Sequence, residues 1–164
     1  GLDVTGLLSL RLDRAPDIGP DGTSLHHLVQ VYARRNDRLS DGDNYYRFWV
    51  RPSRTDIDVR IEKNVRGVLT QVTSGTQIPA MFDTTAAWWV RWEVFGRSPA
   101  TTLRMRVWKD GTTEPTSWHA SVVVNEPALD LSGTTGVRFK TAPEHVNFPV
   151  RLYIDDLQYV RRNP

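Results

Sequence analysis

Apolar residues occupy alternate positions through long stretches of the chain. Leu2, Val4, Leu8, Leu10 and Leu12 hold even positions, with Asp3, Thr5, Ser9, Arg11 and Asp13 between them, the period of two that marks a strand with one buried face. Asp17 to Gly22 interrupts the pattern, and Leu25, His27, Val29, Val31 and Ala33 resume it. A polar stretch from Arg34 to Asn44 follows, with a turn signal at Asp41-Gly42. Strands are then predicted over Tyr45 to Arg51, Ile57 to Glu62, Val68 to Thr73, Trp88 to Phe95, Leu103 to Trp108, Trp118 to Val124, Gly136 to Thr141 and Val150 to Val160. No segment carries a helical stripe; the one short helical turn expected lies at Asp83 to Ala87.

So many strands must hide their apolar faces, either as two antiparallel sheets packed face to face or as a closed barrel. Long strands favour the jelly-roll sandwich over the immunoglobulin type, whose cysteine pair is missing. The last strand changes parity. Val150, Leu152 and Ile154 are apolar on even positions, Leu157 and Tyr159 on odd ones, so a β-bulge at Asp155-Asp156 is required to keep both sets inward.

Composition narrows the classes. The 164 residues suit one domain with a core of its own, and a start at Gly1 suggests a piece of a longer polypeptide. The absence of cysteine removes disulfides, thiolate nucleophiles and the common zinc motifs. A net charge of +2 with scattered arginines argues against nucleic-acid binding. No apolar run is long enough for membrane insertion. Glu62, Glu93, Glu114, Glu126 and Glu144 are dispersed singly rather than paired along a strand as glycoside hydrolysis needs. His26, His27, His119 and His145 have no nucleophile motif beside them, so no catalytic residue is assigned and the chain is read as a non-enzyme.

Five segments in order, DNYYRFWV at Asp43 to Val50, WWVRWEV at Trp88 to Val94, VWKDGTTEPTSW at Val107 to Trp118, GTTGVRF at Gly133 to Phe139 and YIDDL at Tyr153 to Leu157, resemble concanavalin A-like (laminin G-like) jelly-roll domains. Such domains occur in secreted actinobacterial proteins and in phage minor tail or receptor-binding proteins. The resemblance implies an all-β two-sheet antiparallel sandwich of about ten or more strands, often with a carbohydrate-binding front sheet. Its implied setting is extracellular or on a virion.

With the even positions of Tyr46 to Val50 and Trp88 to Val94 assigned to the core, Tyr45, Arg47, Trp49, Trp89, Arg91, Glu93, Arg104, Arg106 and Trp108 face outward. Flat rings for sugar C–H faces, with Arg and Glu for hydroxyls, are what a glycan site needs. Tyr45, Arg47, Trp49, Trp89, Arg91, Glu93 and Arg106 are therefore the candidate ligand-binding residues. The competing expectation for Trp49, Trp89 and Trp108 is packing under loops or against the second sheet. Asp110-Gly111 and Pro115 mark Val107 to Trp118 as a hairpin connection, with Trp118 folding back onto its strand pair. Asp3, Asp155 and Asp156 are a candidate calcium set if the first and last strands lie side by side, against an aspartate serving only the bulge. Otherwise no cofactor is expected. Two functions fit: a non-catalytic module binding glycan or polysaccharide on a bacterial surface, or a structural domain of a phage tail tip contacting neighbouring subunits of an oligomer.

Overall fold

The computed structural model describes residues 2–36, 43–80 and 83–162; the Asp41-Gly42 turn lies outside them. Eleven strands form two antiparallel sheets: β1 (Asp3–Leu12), β2 (His27–Asn36), β3 (Asn44–Pro52), β4 (Asp56–Val65), β5 (Val68–Gln71), β6 (Thr76–Pro79), β7 (Trp88–Phe95), β8 (Thr101–Lys109), β9 (Ala120–Val124), β10 (Thr134–Thr141) and β11 (Leu152–Arg162). One sheet runs β11-β1-β7-β8-β9, the other β10-β2-β3-β4-β5 with β6 also on β4. This is the all-β jelly-roll sandwich, one of the two arrangements that the alternation allowed and the one that the long strands favoured. The only helix among the described residues is a 3-10 turn at Pro127–Leu129.

The core is the inward parity of both sheets. Val29, Val31, Tyr46, Phe48, Val50, Val59 and Ile61 from one meet Leu8, Val90, Trp92, Val94, Leu103 and Met105 from the other, all inaccessible to solvent. Each such large side chain contributes roughly 1.5–3 kcal/mol by leaving water. Gly6 belongs to the inward set because Trp92, its cross-strand partner, fills its space. A Cβ there would stand 1.9 Å from the indole.

β11 pairs with β1, and Leu7 faces Gln158 while Ser9 faces Asp155. Leu8 therefore lies opposite both Asp156 and Leu157, the bulge expected from the parity change, and Asp156 takes a φ of 52°. Leu152 and Tyr159, of opposite parity, both reach the core, while Ile154 and Leu157 stay more than a third exposed along the sheet edge.

One local expectation fails. Asp83 to Ala87 is not helical, because the Asp83 carboxylate accepts hydrogen bonds from the Thr85 N–H at 2.8 Å and the Thr85 hydroxyl at 2.7 Å, closing a local turn instead. β6 went unanticipated: four residues with one apolar centre, Ile78, carry too little alternation to register. Among the described residues no helix is long and apolar enough to cross a membrane.

Candidate functional site

The seven candidate binding residues divide between two outer faces. Tyr45, Arg47 and Trp49 lie on β3 in the six-stranded sheet; Trp89, Arg91 and Glu93 on β7 and Arg106 on β8 lie in the five-stranded sheet. All point away from the core, but the core itself, about 10 Å of packed side chains, separates the two groups. They form no single surface.

The five-stranded face is taken by the protein's own loop. Trp89 and Trp108 are direct cross-strand partners with rings stacked 6.3 Å apart, and the Trp89 indole N–H donates to Asp110 Oδ1 at 2.8 Å. Glu114 reaches back from the hairpin loop to accept from Arg91 at 2.6 and 3.0 Å, and it stands 2.5 Å from Arg106. Arg106 also donates to the Pro115 carbonyl at 2.5 Å. Trp118 then lies over the Arg104 and Arg106 guanidiniums at 4.4 and 4.3 Å. Burial acts to raise the Glu114 pKa, but hydrogen bonds from Arg91 and the charges of Arg91 and Arg106 outweigh it and hold the carboxyl below its ordinary value. Glu93 is bound by Arg104 at 2.7 Å. Bonds to the loop thus engage Trp89, Arg91 and Arg106, and Trp118 folds back as expected.

The six-stranded face differs. Tyr32, Tyr45, Arg47, Asp58, Glu62 and Asn64 face away from the core yet are each under a tenth exposed, because they pack edge to edge across β2, β3 and β4. Arg47 donates both Nε and Nη2 to Glu62, its cross-strand partner. Asn64 donates to the Tyr45 hydroxyl at 3.1 Å, Tyr32 to Gln30 at 3.1 Å, and the Tyr32 and Tyr45 rings meet edge to face. Trp49 sits at the centre, flanked by the guanidiniums of Arg47, Arg51 and Arg60 at 4.8, 5.8 and 5.3 Å. Asp58 accepts from Arg51 at 3.0 Å and from Arg60.

This lattice borders two depressions. One, of about 730 Å³, is lined by Leu28, Trp49, Arg51 and Lys140, with a rim of Thr23 to His26 and Thr141 to Pro143. The other, of about 360 Å³, lies beside Tyr32, Tyr45, Gly136 and Arg138. Burial and the Arg51 charge lower the His26 pKa below its ordinary value, which favours the neutral ring. Beneath the rim, His145 contacts Asp17 at 3.2 Å and the His26 carbonyl at 3.3 Å, and stacks on buried His27 at 4.6 Å. His26 and His27 thus point to opposite faces, as alternation required.

The calcium set does not assemble. Asp3 pairs across from Arg162 and Asp155 from Ser9, six positions further along β1, or roughly 20 Å of strand. Asp3 instead accepts the Gly96 N–H at 2.9 Å and stands 3.8 Å from the buried Arg34 guanidinium, while Asp156 forms the bulge. Among the described residues no group of three or more His, Asp or Glu side chains is placed to hold a metal ion. Arg34 itself escaped notice as the start of a polar loop. It is 1% exposed and donates to the carbonyls of Leu2, Gly96 and Leu129. Its neighbours come from distant parts of the chain, so local pattern carries no sign of it.

No family model and no curated protein matches the sequence. Among solved structures, the xylan β-1,4-xylosidase of Bacillus halodurans C-125 is similar with a TM-score of 0.54 and 12% identity, over 98% of this chain and 28% of that one. At that identity the likeness is one of fold. The chain corresponds to little more than a quarter of that enzyme's length.

Proposed function

We propose that this chain is a non-catalytic carbohydrate-binding module whose site is the outer face of the six-stranded sheet. The observation that carries it is the depression on that face, with half-buried Trp49 in its wall and a hydrogen-bonded lattice of Tyr45, Arg47, Glu62 and Asn64 beside it. A glycan offers an apolar ring face and hydroxyl edges, and Trp49 and Leu28 suit the first as Thr23, Ser24, Thr141 and Arg51 suit the second. Side chains already held by one another lose little freedom on binding. The xylosidase likeness supports a fold found within a carbohydrate-active chain. A non-catalytic role is supported by the glutamates: Glu62, Glu93, Glu114 and Glu126 each contact Arg or Lys within 3.0 Å.

The setting that the resemblance implies, a secreted bacterial protein or a phage tail outside the cell, belongs to this proposal, and weak single sites would gain strength by repetition there. A glycan array with the purified chain tests it. Trp49→Ala is expected to abolish the signal and Trp89→Ala to leave it intact, since Trp89 lies on the opposite sheet with its indole N–H held by Asp110; the reverse result would refute the assignment.

One observation favours a second reading, a subunit-contact domain of a tail tip. The outer edge of β11 is unpaired among the described residues, and Leu157 and Val160 there are 55% and 54% exposed, a template for another chain. Sedimentation showing association that Leu157→Lys abolishes would support it. A concentration-independent monomer would count against it.

A further inference from the structure

The depression beside Trp49 has a charge character that its fold class does not dictate. Its ionisable lining consists of Arg51, Lys140 and His26, with no carboxylate among them. Arg51 is already matched by Asp58 at 3.0 Å. Lys140, and Arg138 two residues before it on β10, have neither an ion-pair nor a hydrogen-bond partner among the described residues. Both project from the outer face, since Val137 and Phe139 between and before them pack on the core. Register fixes where these charges stand: Arg138 pairs with Gln30 and Gln30 with Trp49, while Lys140 pairs with Leu28. Two strand spacings, about 10 Å, therefore separate the β10 cations from the indole, a distance that a disaccharide spans. Elsewhere on this face Arg47 is bound to Glu62, while Arg51 and Arg60 share the single carboxylate of Asp58, so of these cations only Arg138 and Lys140 contact no carboxylate.

Resting on the glycan-binding reading above, we propose that the site selects acidic polysaccharide, with one sugar against Trp49 and the carboxylate of a neighbouring uronic acid held by Lys140 and Arg138. The guanidinium and ammonium donate hydrogen bonds to that carboxylate, charge-assisted contacts stronger than those between neutral groups. Neutral sugars gain only the Trp49 side of the site.

The test uses the intact chain in isothermal titration against glucuronoxylan and against the same polymer after carboxyl reduction, for wild type, Arg138→Ala/Lys140→Ala and Trp49→Ala. Wild type is expected to bind the acidic polymer about tenfold tighter than its reduced form, as two charge-assisted contacts allow, and added salt should erode the difference. The double variant should lose the preference while keeping its affinity for the reduced polymer. Both substitutions are at exposed positions, so folding is not at stake. Equal affinity of wild type for the two polymers, or a preference that survives the double substitution, overturns the selectivity while leaving the site itself standing. Binding of neither polymer, or binding untouched by Trp49→Ala, overturns the site and the selectivity together.

Discussion

At the scale of single residues, buried polar groups carry more of this molecule than its surface charges do. Arg34 ties the start of β1, the β7–β8 turn and the 3-10 turn together through three carbonyls, with Asp3 and Asp130 at 3.8 and 3.7 Å. Replacing it with methionine keeps the bulk but strands those acceptors, and is expected to cost about 3–5 kcal/mol in urea denaturation. A loss under 1 kcal/mol would contradict this role. His27 gives a second handle. Burial, with the neighbouring His145, lowers its pKa from 6.5 to about 4. The unfolded chain therefore binds a proton more readily than the folded one between those values. Stability is full above pH 6.5 and declines as pH falls toward 4, by at most about 3 kcal/mol. Asp17 acts in the same sense at lower pH. The backbone N–H groups of Asn147 and Val146 lower its pKa from 3.8, so its contribution persists above that pH and is lost only below it. His27→Phe should flatten the thermal stability profile between pH 6.5 and 4 and leave the more acidic decline in place; an unchanged profile would assign the loss to another group.

Among the elements, the loop after β8 shows how one carboxylate organises a surface. Glu114 is the shared partner of Arg91 and Arg106, and with Trp118 it fixes the loop over β7 and β8. Glu114→Gln is expected to cost about 1–2 kcal/mol, since two guanidiniums lose a charged acceptor, and to make Trp118 fluorescence more accessible to quencher. Glycan binding should not change. If affinity falls instead, the five-stranded face belongs to the site. The β11 bulge was legible because a parity change is a local signal: Leu152 and Tyr159 cannot share a face without an extra residue. Arg34 was not legible, because its carbonyl partners are dozens of residues away, nor was β6, whose four residues carry too little alternation.

For the whole molecule, alternation specified the sandwich and its core almost residue by residue, as Tyr46, Phe48, Val50, Val90, Trp92 and Val94 show. It could not place the site. Parity states whether a side chain points toward the core, but not which of two sheets carries the strand, so Trp49 and Trp89 read alike although they lie on opposite sides of the protein. Sheet membership is decided by pairing over long sequence separations, and it split the seven candidates into four held by the protein's own contacts on one face and, on the other, Trp49 in the wall of a depression with Tyr45 and Arg47 buried beside it. The same pairing brought Arg138 and Lys140, distant in sequence, to within two strands of Trp49. Backbone amide shift mapping by NMR during titration with an acidic xylo-oligosaccharide tests this placement most directly. Perturbations are expected in Leu28 to Tyr32, Arg47 to Arg51 and Arg138 to Thr141, with Trp89 to Glu93 and Arg104 to Trp108 unmoved; shifts centred on β7 and β8, or none at saturating ligand, would contradict it.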